Sequence, residues 1–271
     1  MHSGGKGANQ AVAVARLGHQ SILLGVLGDD IFGSQLLSTL KSYGVDTSRV
    51  GFAAGSSGTA SIVVDAQGEN TIILTPGSNL QVTSEYLRAN LDVLRGAGIV
   101  LTQLEIPTET ILFLAECCLE FGVPLMLDPA PARELPAELL SKVTWFTPNQ
   151  TEAAFFADAG ESTEQILTRF IGMGIGNVIL KQGVDGAIVA NADGSRCRID
   201  AFPVVAVDTT AAGDAFNGAF CVALMKGQSP AESGRFASAA AAISVTRQGA
   251  QPSLPNKEEI RELLSSCTLQ T

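Results

Sequence analysis

Histidine is scarce in this sequence, which has only His2 and His19 among 271 residues. A serine or cysteine nucleophile activated by histidine, or a histidine-rich metal site, has little material to draw on. His19 follows Leu17 and Gly18, where a helical pattern ends, and a solvated imidazole is expected there. The sequence therefore predicts chemistry that does not depend on histidine.

Paired cysteines, positive charge and long apolar runs are also lacking. The five cysteines, an odd number, contain no CxxC motif, so neither a disulfide framework nor a zinc site is indicated. A net charge of −10 argues against nucleic acid as the main partner. No apolar run reaches the roughly 18 residues of a membrane helix, and the N-terminus does not resemble a signal peptide. The cytoplasm is the expected compartment, with no membrane partner.

Hydrophobic residues make up 46% of the chain, enough for a large core. Strand patterns cover 21–27, 98–104, 124–127, 144–147, 177–180, 187–190 and 204–207, and helical patterns cover 8–17, 31–43, 84–94, 107–121, 212–225 and 230–245. This alternation predicts an α/β fold with a mainly parallel sheet and helices on both faces. A hairpin at about 59–74 departs from the rhythm. No linker or repeat interrupts the chain, so residues 1–271 are predicted to form one domain.

Polar residues follow each predicted strand of the sheet. Examples are Glu105 after one strand, Asp128 after the next, and Asn149 with Glu152 after a third. Helix caps favour the same residue types, and for any single strand end capping is an equal explanation. Because ligands of open α/β sheets bind at the carboxyl ends of the strands, five such ends together favour a site.

The segment 208–218 carries the strongest signal. Three small residues, Ala211, Ala212 and Gly213, allow a ligand to approach the backbone closely, and the helix that follows directs free N–H groups at the same point. Asp214 stands beside this anion hole. A carboxylate there is reasonable if the anion is a transferring phosphoryl group and Asp214 takes the proton of the attacking hydroxyl.

Two motifs at opposite ends of the chain resemble signatures of the ribokinase family of carbohydrate kinases. Residues 208–214 are similar to its D-T-x-A-A-G-D signature, and 4–9 to its G-G-K-G-A-N signature. Residues 149–152 resemble its N-x-x-E motif, and the similarity extends through 247–253. The resemblance implies a three-layer α/β sandwich with a small β lid, here incomplete. It also implies transfer of phosphate from ATP to a sugar.

The resemblance also implies roles for individual residues. The sugar pocket would consist of Gly5, Lys6, Gly7, Ala8, Asn9, Glu105 and Asp214. The anion hole would be formed by Ala211, Ala212 and Gly213, with Asp214 as the base. The nucleotide would be bordered by Asn149, Lys181, Gln182, Gly183, Val184, Asp185, Gly186, Gly213 and Ser238. The family often has Thr or Ser where Lys181 stands.

Two metal sites are implied in the same way. Glu152, with Asn149, would organise the Mg²⁺–phosphate shell, although a charge favoured by the helix dipole is the other explanation for Glu152. A monovalent cation, K⁺, would be held mostly through backbone carbonyls at Asp208, Thr210, Ser244, Arg247, Gly249 and Ser253. Such an ion would order the anion-hole loop.

Segments 4–10, 103–105 and 128–135 look closest to family members that act on D-ribose, giving ribose 5-phosphate. Deoxyribose or another sugar is the alternative, as is a pseudoenzyme that binds nucleotide without efficient turnover. Family members normally have a further strand, with an Asn/Asp pair for sugar hydroxyls, before the G-G-K-G-A-N segment. A truncated sequence, a misassigned start or a degenerate protein would each explain a chain that begins at that segment. Such a chain is expected to bind ATP better than it phosphorylates sugar, and the family's homodimer is in doubt.

Overall fold

The computed structural model describes residues 3–64 and 70–268. Its strands are β1 (Val26–Gly28), β2 (Gly51–Ala53), β3 (Thr59–Val64), β4 (Asn70–Thr75), β5 (Val100–Thr102), β6 (Leu125–Leu127), β7 (Trp145–Phe146), β8 (Asn177–Lys181), β9 (Ala187–Asn191) and β10 (Arg196–Ile199). The central sheet has the order β10-β9-β8-β7-β6-β5. Strands β5 to β8 are parallel, whereas β9 and β10 are antiparallel.

Helices lie on both faces of this sheet. They are α1 (Lys6–Arg16), α2 (Ile31–Ser42), α3 (Ser84–Arg88), α4 (Leu91–Gly96), α5 (Thr108–Phe121), α6 (Ala137–Leu140), α7 (Gln150–Phe155), α8 (Thr163–Gly172), α9 (Ala212–Met225), α10 (Pro230–Val245) and α11 (Lys257–Thr268). Short 3₁₀ turns occupy Gly77–Gln81, Gly183–Asp185 and Gln251–Ser253.

Successive side chains of the buried strands enter two different cores. Leu125 and Leu127 pack with residues of α5 and α8, whereas Met126, between them, packs with residues of α9 and α10. Phe146 and Trp145 divide in the same way. Because side chains alternate across a strand, a strand that is apolar throughout requires helices on both faces. The result is a three-layer arrangement, as the alternation in the sequence predicts.

Several predicted elements differ from those observed. The helix predicted over 84–94 is two short helices separated at Asn90, whose backbone (φ −125°, ψ 20°) is not helical. The strand predicted over 204–207 is absent, and Val205 is 85% exposed. An apolar run without a covering element was therefore misread as a strand. Strands β2 and β10 and the helices α6, α8 and α11 were not predicted.

Two further strand pairs stand apart from the central sheet. β1 pairs in parallel with β2, and β3 pairs antiparallel with β4 at the position of the predicted hairpin.

A cleft of about 2360 Å³ is lined by β1 residues such as Val26, by β5 residues such as Val100, and by Asp214. The cleft therefore extends from β1 to the start of α9. Among the residues that the structure describes, no helix is both long enough and apolar enough to cross a membrane.

Candidate active site

Asp214 lies in the first turn of α9 and is almost fully buried, with 4% of its surface exposed. Its two oxygens accept different donors. Asn9 Nδ2 donates to Oδ2 at 2.9 Å, and Gln10 Nε2 donates to Oδ1 at 3.0 Å. Both donors lie on α1, which packs against α9. The N-terminal motif and the C-terminal motif therefore meet at one carboxylate.

The loop before α9 has the conformation of an anion hole. Ala211, at the N-cap, has φ 61° and ψ 11°, and it is the one non-glycine residue with positive φ in the described parts of the chain. An L-residue in this left-handed region costs about 1–2 kcal/mol. Such strain is typically retained at functional sites. It turns the chain so that the first helical turn begins beside Asp214. Ala212 N–H donates to Thr209 O at 3.2 Å, and the N–H groups of Gly213 and Asp214 have no acceptor among the described residues, as is usual at a helix start.

Residues of the N-terminal motif form the opposite wall. Gly5 is the N-cap of α1 with φ 92°, which glycine adopts readily. The next amide, Lys6 N–H, donates to Glu105 Oε2 at 2.9 Å. Gly7 and Ala8 continue the wall on α1, and all four residues line the same cleft as Asn9 and Glu105. The structure thus brings the predicted sugar-binding residues together around Asp214.

Burial and neighbouring charges alter the pKa values of this site. Burial raises the pKa of Asp214 to about 6, and nearby Asp128 adds to the rise, while Lys6, Asn9 and Gln10 oppose it. Burial by itself would lower the pKa of Lys6. The surrounding carboxylates, Asp214 first, outweigh burial and raise that pKa, so Lys6 stays charged. A carboxyl group with a pKa near the working pH is suited to general-base catalysis.

Asn149 and Glu152 occupy the end of β7 and the start of α7. They form a capping box, in which Asn149 Oδ1 accepts Glu152 N–H and Glu152 Oε2 accepts Asn149 N–H, both at 2.8 Å. Glu152 still lines the cleft that contains Asp214. Burial, partly offset by Lys181, raises the pKa of Glu152. Glu152 therefore caps α7 and also lies at the candidate site, so the two explanations for this carboxylate do not exclude each other.

The predicted nucleotide border lies at the next strand end. Gln182 N–H donates to Gly186 O at 2.7 Å, which closes a turn through Gly183, Val184 and Asp185. A side chain on Gly186 would meet Ile199 O at 2.0 Å, so this backbone approach requires glycine. Ser238 Oγ on α10 donates to Asp200 O at 3.0 Å, next to that contact. The turn and Ser238 thus border the same region, and Val184 is 93% exposed.

The residues expected to hold a monovalent cation lie in two adjoining loops. Asp208 Oδ1 accepts Thr210 N–H, and its Oδ2 accepts Gly249 N–H at 2.8 Å. Ser244 Oγ and Ser253 Oγ are 2.8 Å apart and buried. The side chain of Arg247 forms an ion pair with Glu259 at 2.5 Å, which leaves its backbone carbonyl uninvolved. Among the described residues, no three His, Cys, Asp or Glu side chains form a metal-binding group.

The sequence reasoning missed a buried polar network behind Asp214. Gln10 Nε2 also donates to Asp128 Oδ2 at 3.0 Å, and its Oε1 accepts Gln103 Nε2 at 2.7 Å. Asp128 Oδ1 in turn pairs with Lys181 Nζ at 3.1 Å. The position of Asp128, directly after an apolar strand, was the available signal. Gln10 gave none beyond its place next to Asn9.

Comparisons with known proteins find relatives that match most of the chain. The sequence profile described as pfkB family carbohydrate kinase matches residues 1–257. Ribokinase of Bacillus subtilis (strain 168) is 40% identical over 263 residues, which cover 97% of this chain and 87% of that protein. Deoxyribokinase of Salmonella typhi is 35% identical, with coverages of 97% and 87%.

A solved structure shares the fold. Arabidopsis thaliana ribokinase complexed with ribose and ATP superimposes with a TM-score of 0.91 at 34% identity, covering 96% of this chain and 87% of that one. The three-layer α/β fold predicted from the sequence is thereby confirmed. The family profile extends across both motifs that meet at Asp214. The chain belongs to the pfkB family of carbohydrate kinases.

Proposed function

We propose that this carbohydrate kinase transfers the γ-phosphoryl group of ATP to the primary hydroxyl of D-ribose, giving ribose 5-phosphate and ADP. The observation that carries the proposal is the position of Asp214. It is a buried carboxylate held by Asn9 and Gln10, at the start of a helix that offers free N–H groups. A base and an anion hole at one point are the parts that phosphoryl transfer to a hydroxyl requires.

In the proposed step the hydroxyl oxygen of the sugar forms a bond to the γ-phosphorus. The bond between that phosphorus and the β–γ bridging oxygen breaks, and its electrons remain on ADP. The hydroxyl proton passes to Asp214. Because the pKa of Asp214 is about 6, its carboxyl group is ionised in most molecules at neutral pH and can accept the proton.

Preorganised backbone donors stabilise the charge that develops on the phosphoryl oxygens. The left-handed backbone of Ala211 and the lack of a side chain at Gly213 leave those N–H groups accessible. Donors fixed in place before the reaction need no reorganisation during it. Ala211, Ala212 and Gly213 are therefore proposed to form the anion hole. Gly213, and not Ala212, supplies a free N–H group there, because Ala212 N–H donates to Thr209 O.

The nucleotide is proposed to lie across the adjacent strand ends, bordered by Asn149, Ser238 and residues 181–186. Bound Mg²⁺ would neutralise charge on the phosphates. Glu152 fits such an ion, because one oxygen is engaged by the capping box and the other can receive a cation or its water. A site with one protein carboxylate is ordinary for Mg²⁺ held mainly by substrate phosphates.

A monovalent cation is proposed beside the loop that precedes Ala211. The oxygens of Ser244 and Ser253 and the carbonyls around Gly249 offer the oxygen donors that K⁺ prefers. Asp208 joins the two loops through Thr210 N–H and Gly249 N–H. A cation there would fix the strained turn at Ala211 and thereby the direction of its N–H groups.

Ribose is favoured as the acceptor because the 40% identical Bacillus subtilis relative is a ribokinase. Deoxyribose is the second candidate, since the 35% identical Salmonella typhi relative is a deoxyribokinase. We further propose that residues 1–271 form one kinase domain. Location in the cytoplasm and assembly into a homodimer remain predictions.

The test measures ADP formation with ATP–Mg²⁺ and either ribose, 2-deoxyribose or fructose. The highest kcat/KM is expected with ribose, and phosphate should appear at the primary hydroxyl. A higher kcat/KM with 2-deoxyribose would replace ribose by the second candidate. ATP binding without sugar-dependent ADP formation would instead support a nucleotide-binding pseudoenzyme.

A further inference from the structure

The ammonium group of Lys181 lies beside the proposed anion hole, and not only at the border of the proposed nucleotide site. Its side chain is 13% exposed, and Nζ pairs with Asp128 Oδ1 at 3.1 Å. A methyl group built on Gly213 would lie 3.5 Å from the same Nζ. The ammonium group therefore sits against the first turn of α9, where the anion hole is.

The neighbours of Lys181 hold the charge in place. Asp128 is 3% exposed and also accepts Gln10 Nε2, whose amide bridges to Asp214. Lys181 also acts on Glu152: burial raises the pKa of that carboxyl group, and the charge of Lys181 opposes the rise. The ammonium is thus anchored on one side by Asp128 and faces the anion hole on the other.

We propose that Lys181 is a catalytic residue that contacts the γ-phosphoryl group as it transfers, with Asp128 as its positioning residue. This inference rests on the proposed kinase function. During transfer, negative charge spreads over the equatorial oxygens of the phosphoryl group. An ammonium already fixed beside the N–H groups of Gly213 and Asp214 stabilises that charge more than it stabilises ground-state ATP.

A purely structural ion pair is the competing explanation, and charge removal separates the two. Lys181→Met alone leaves Asp128 buried without its cation, which destabilises a protein whatever the cation does in catalysis. The double variant Asp128→Asn/Lys181→Met removes both charges together and is expected to fold normally. The amide introduced at position 128 keeps an oxygen that can accept Gln10 Nε2.

Lys142→Met is the matched control. Lys142 is 15% exposed and pairs with Glu138 at 3.1 Å, but it lies after α6, outside the residues assigned to the site. Its kcat is expected to equal that of the wild type. For both Lys181→Met and the double variant, we expect kcat to fall by about 10²–10³-fold, as when one preorganised donor is lost. Recovery of near-normal kcat in the double variant would overturn the proposal.

A second readout does not depend on turnover. Binding of MgADP is measured by calorimetry with and without aluminium fluoride, which mimics the transferring phosphoryl group. Wild-type protein should bind MgADP more tightly with fluoride present. Lys181→Met and the double variant should lose most of that gain and keep MgADP affinity within about threefold. An equal gain in the variants, or no gain in the wild type, would refute the role of Lys181.

The two proposals fail in distinguishable ways. If the wild type forms no ADP with any sugar, the proposed kinase function is wrong. The fluoride measurement then still decides whether Lys181 contacts the terminal phosphate position. If wild-type turnover is normal and the Lys181 variants behave like the wild type, the kinase function stands and the role of Lys181 is refuted.

Discussion

Replacing Asp214 by Asn exchanges the buried carboxylate for an amide of nearly the same shape. The two donors to Asp214 are Asn9 Nδ2 and Gln10 Nε2. The new amide nitrogen would face one of these donors. Asn9 Oδ1 is buried and has no partner within the described residues, so a rotation of the Asn9 amide would let this oxygen accept the new N–H. The substitution should therefore preserve the fold.

The catalytic effect should be large, because the amide cannot accept the hydroxyl proton. Loss of a general base lowers kcat by about 10²–10⁴-fold, with the affinity for ATP little changed. In the wild type, kcat/KM should fall as the pH drops through about 6, the pKa of Asp214. The variant should lose this dependence. A steady-state ADP assay from pH 5 to 8 measures both effects.

Although Asp214→Asn should lower kcat, the same substitution should raise the free energy of unfolding at neutral pH. The folded pKa of Asp214, about 6, exceeds its ordinary value of 3.8, so the protonated form is favoured by folding. That contribution is fully present below pH 3.8 and is lost as the pH rises through about 6. The shift corresponds to roughly 3 kcal/mol, an upper bound for what Asp214→Asn can gain at pH 7.

Urea unfolding at pH 7 and pH 4 measures this difference in stability. The variant should be the more stable protein at pH 7, and most of its advantage should disappear at pH 4. Near-normal kcat in Asp214→Asn would refute the assignment of the base. A variant that is less stable than the wild type at pH 7 would refute the reasoning about the buried charge.

The surroundings of Asp214 lead to three more predictions. Gln10→Met removes a donor that lowers the pKa of Asp214, so the acid limb of kcat/KM should move to higher pH, and an unmoved limb would contradict this. Glu105→Gln removes the charge of an acceptor in the proposed sugar pocket. The KM for ribose should rise by about tenfold or more while the KM for ATP stays constant, and equal effects on the two KM values would place Glu105 outside that pocket. K⁺ should raise kcat more than Na⁺, and equal rates in K⁺ and tetramethylammonium at matched ionic strength would exclude the proposed cation site around Asp208 and Gly249.

Local pattern was sufficient for the elements that bury a complete face. The helices α9 and α10 begin and end at the predicted residues, because a long apolar face, a capping box at Ser229 and terminal polar residues all agree. The run 204–207 was misread as a strand since pairing partners are not encoded locally. The break at Asn90 was missed because the helical pattern of residues 84–94 continues through it. In the structure Asn90 Nδ2 donates to Tyr86 O, four residues earlier, and 7% of Asn90 is exposed.

The same distinction between local sequence and tertiary packing applies to the candidate site. The sequence by itself determined the residue types of the proposed base and the proposed anion hole, because Asp214 and the small residues before it are adjacent in the chain. Only the tertiary structure decided that Asn9 and Gln10, 205 and 204 residues away, hold that carboxylate. It alone placed Lys181 between Asp128 and Gly213. The physical reason is that the pKa of Asp214 and the pairing of Lys181 depend on burial and on charges from distant segments, which packing brings together.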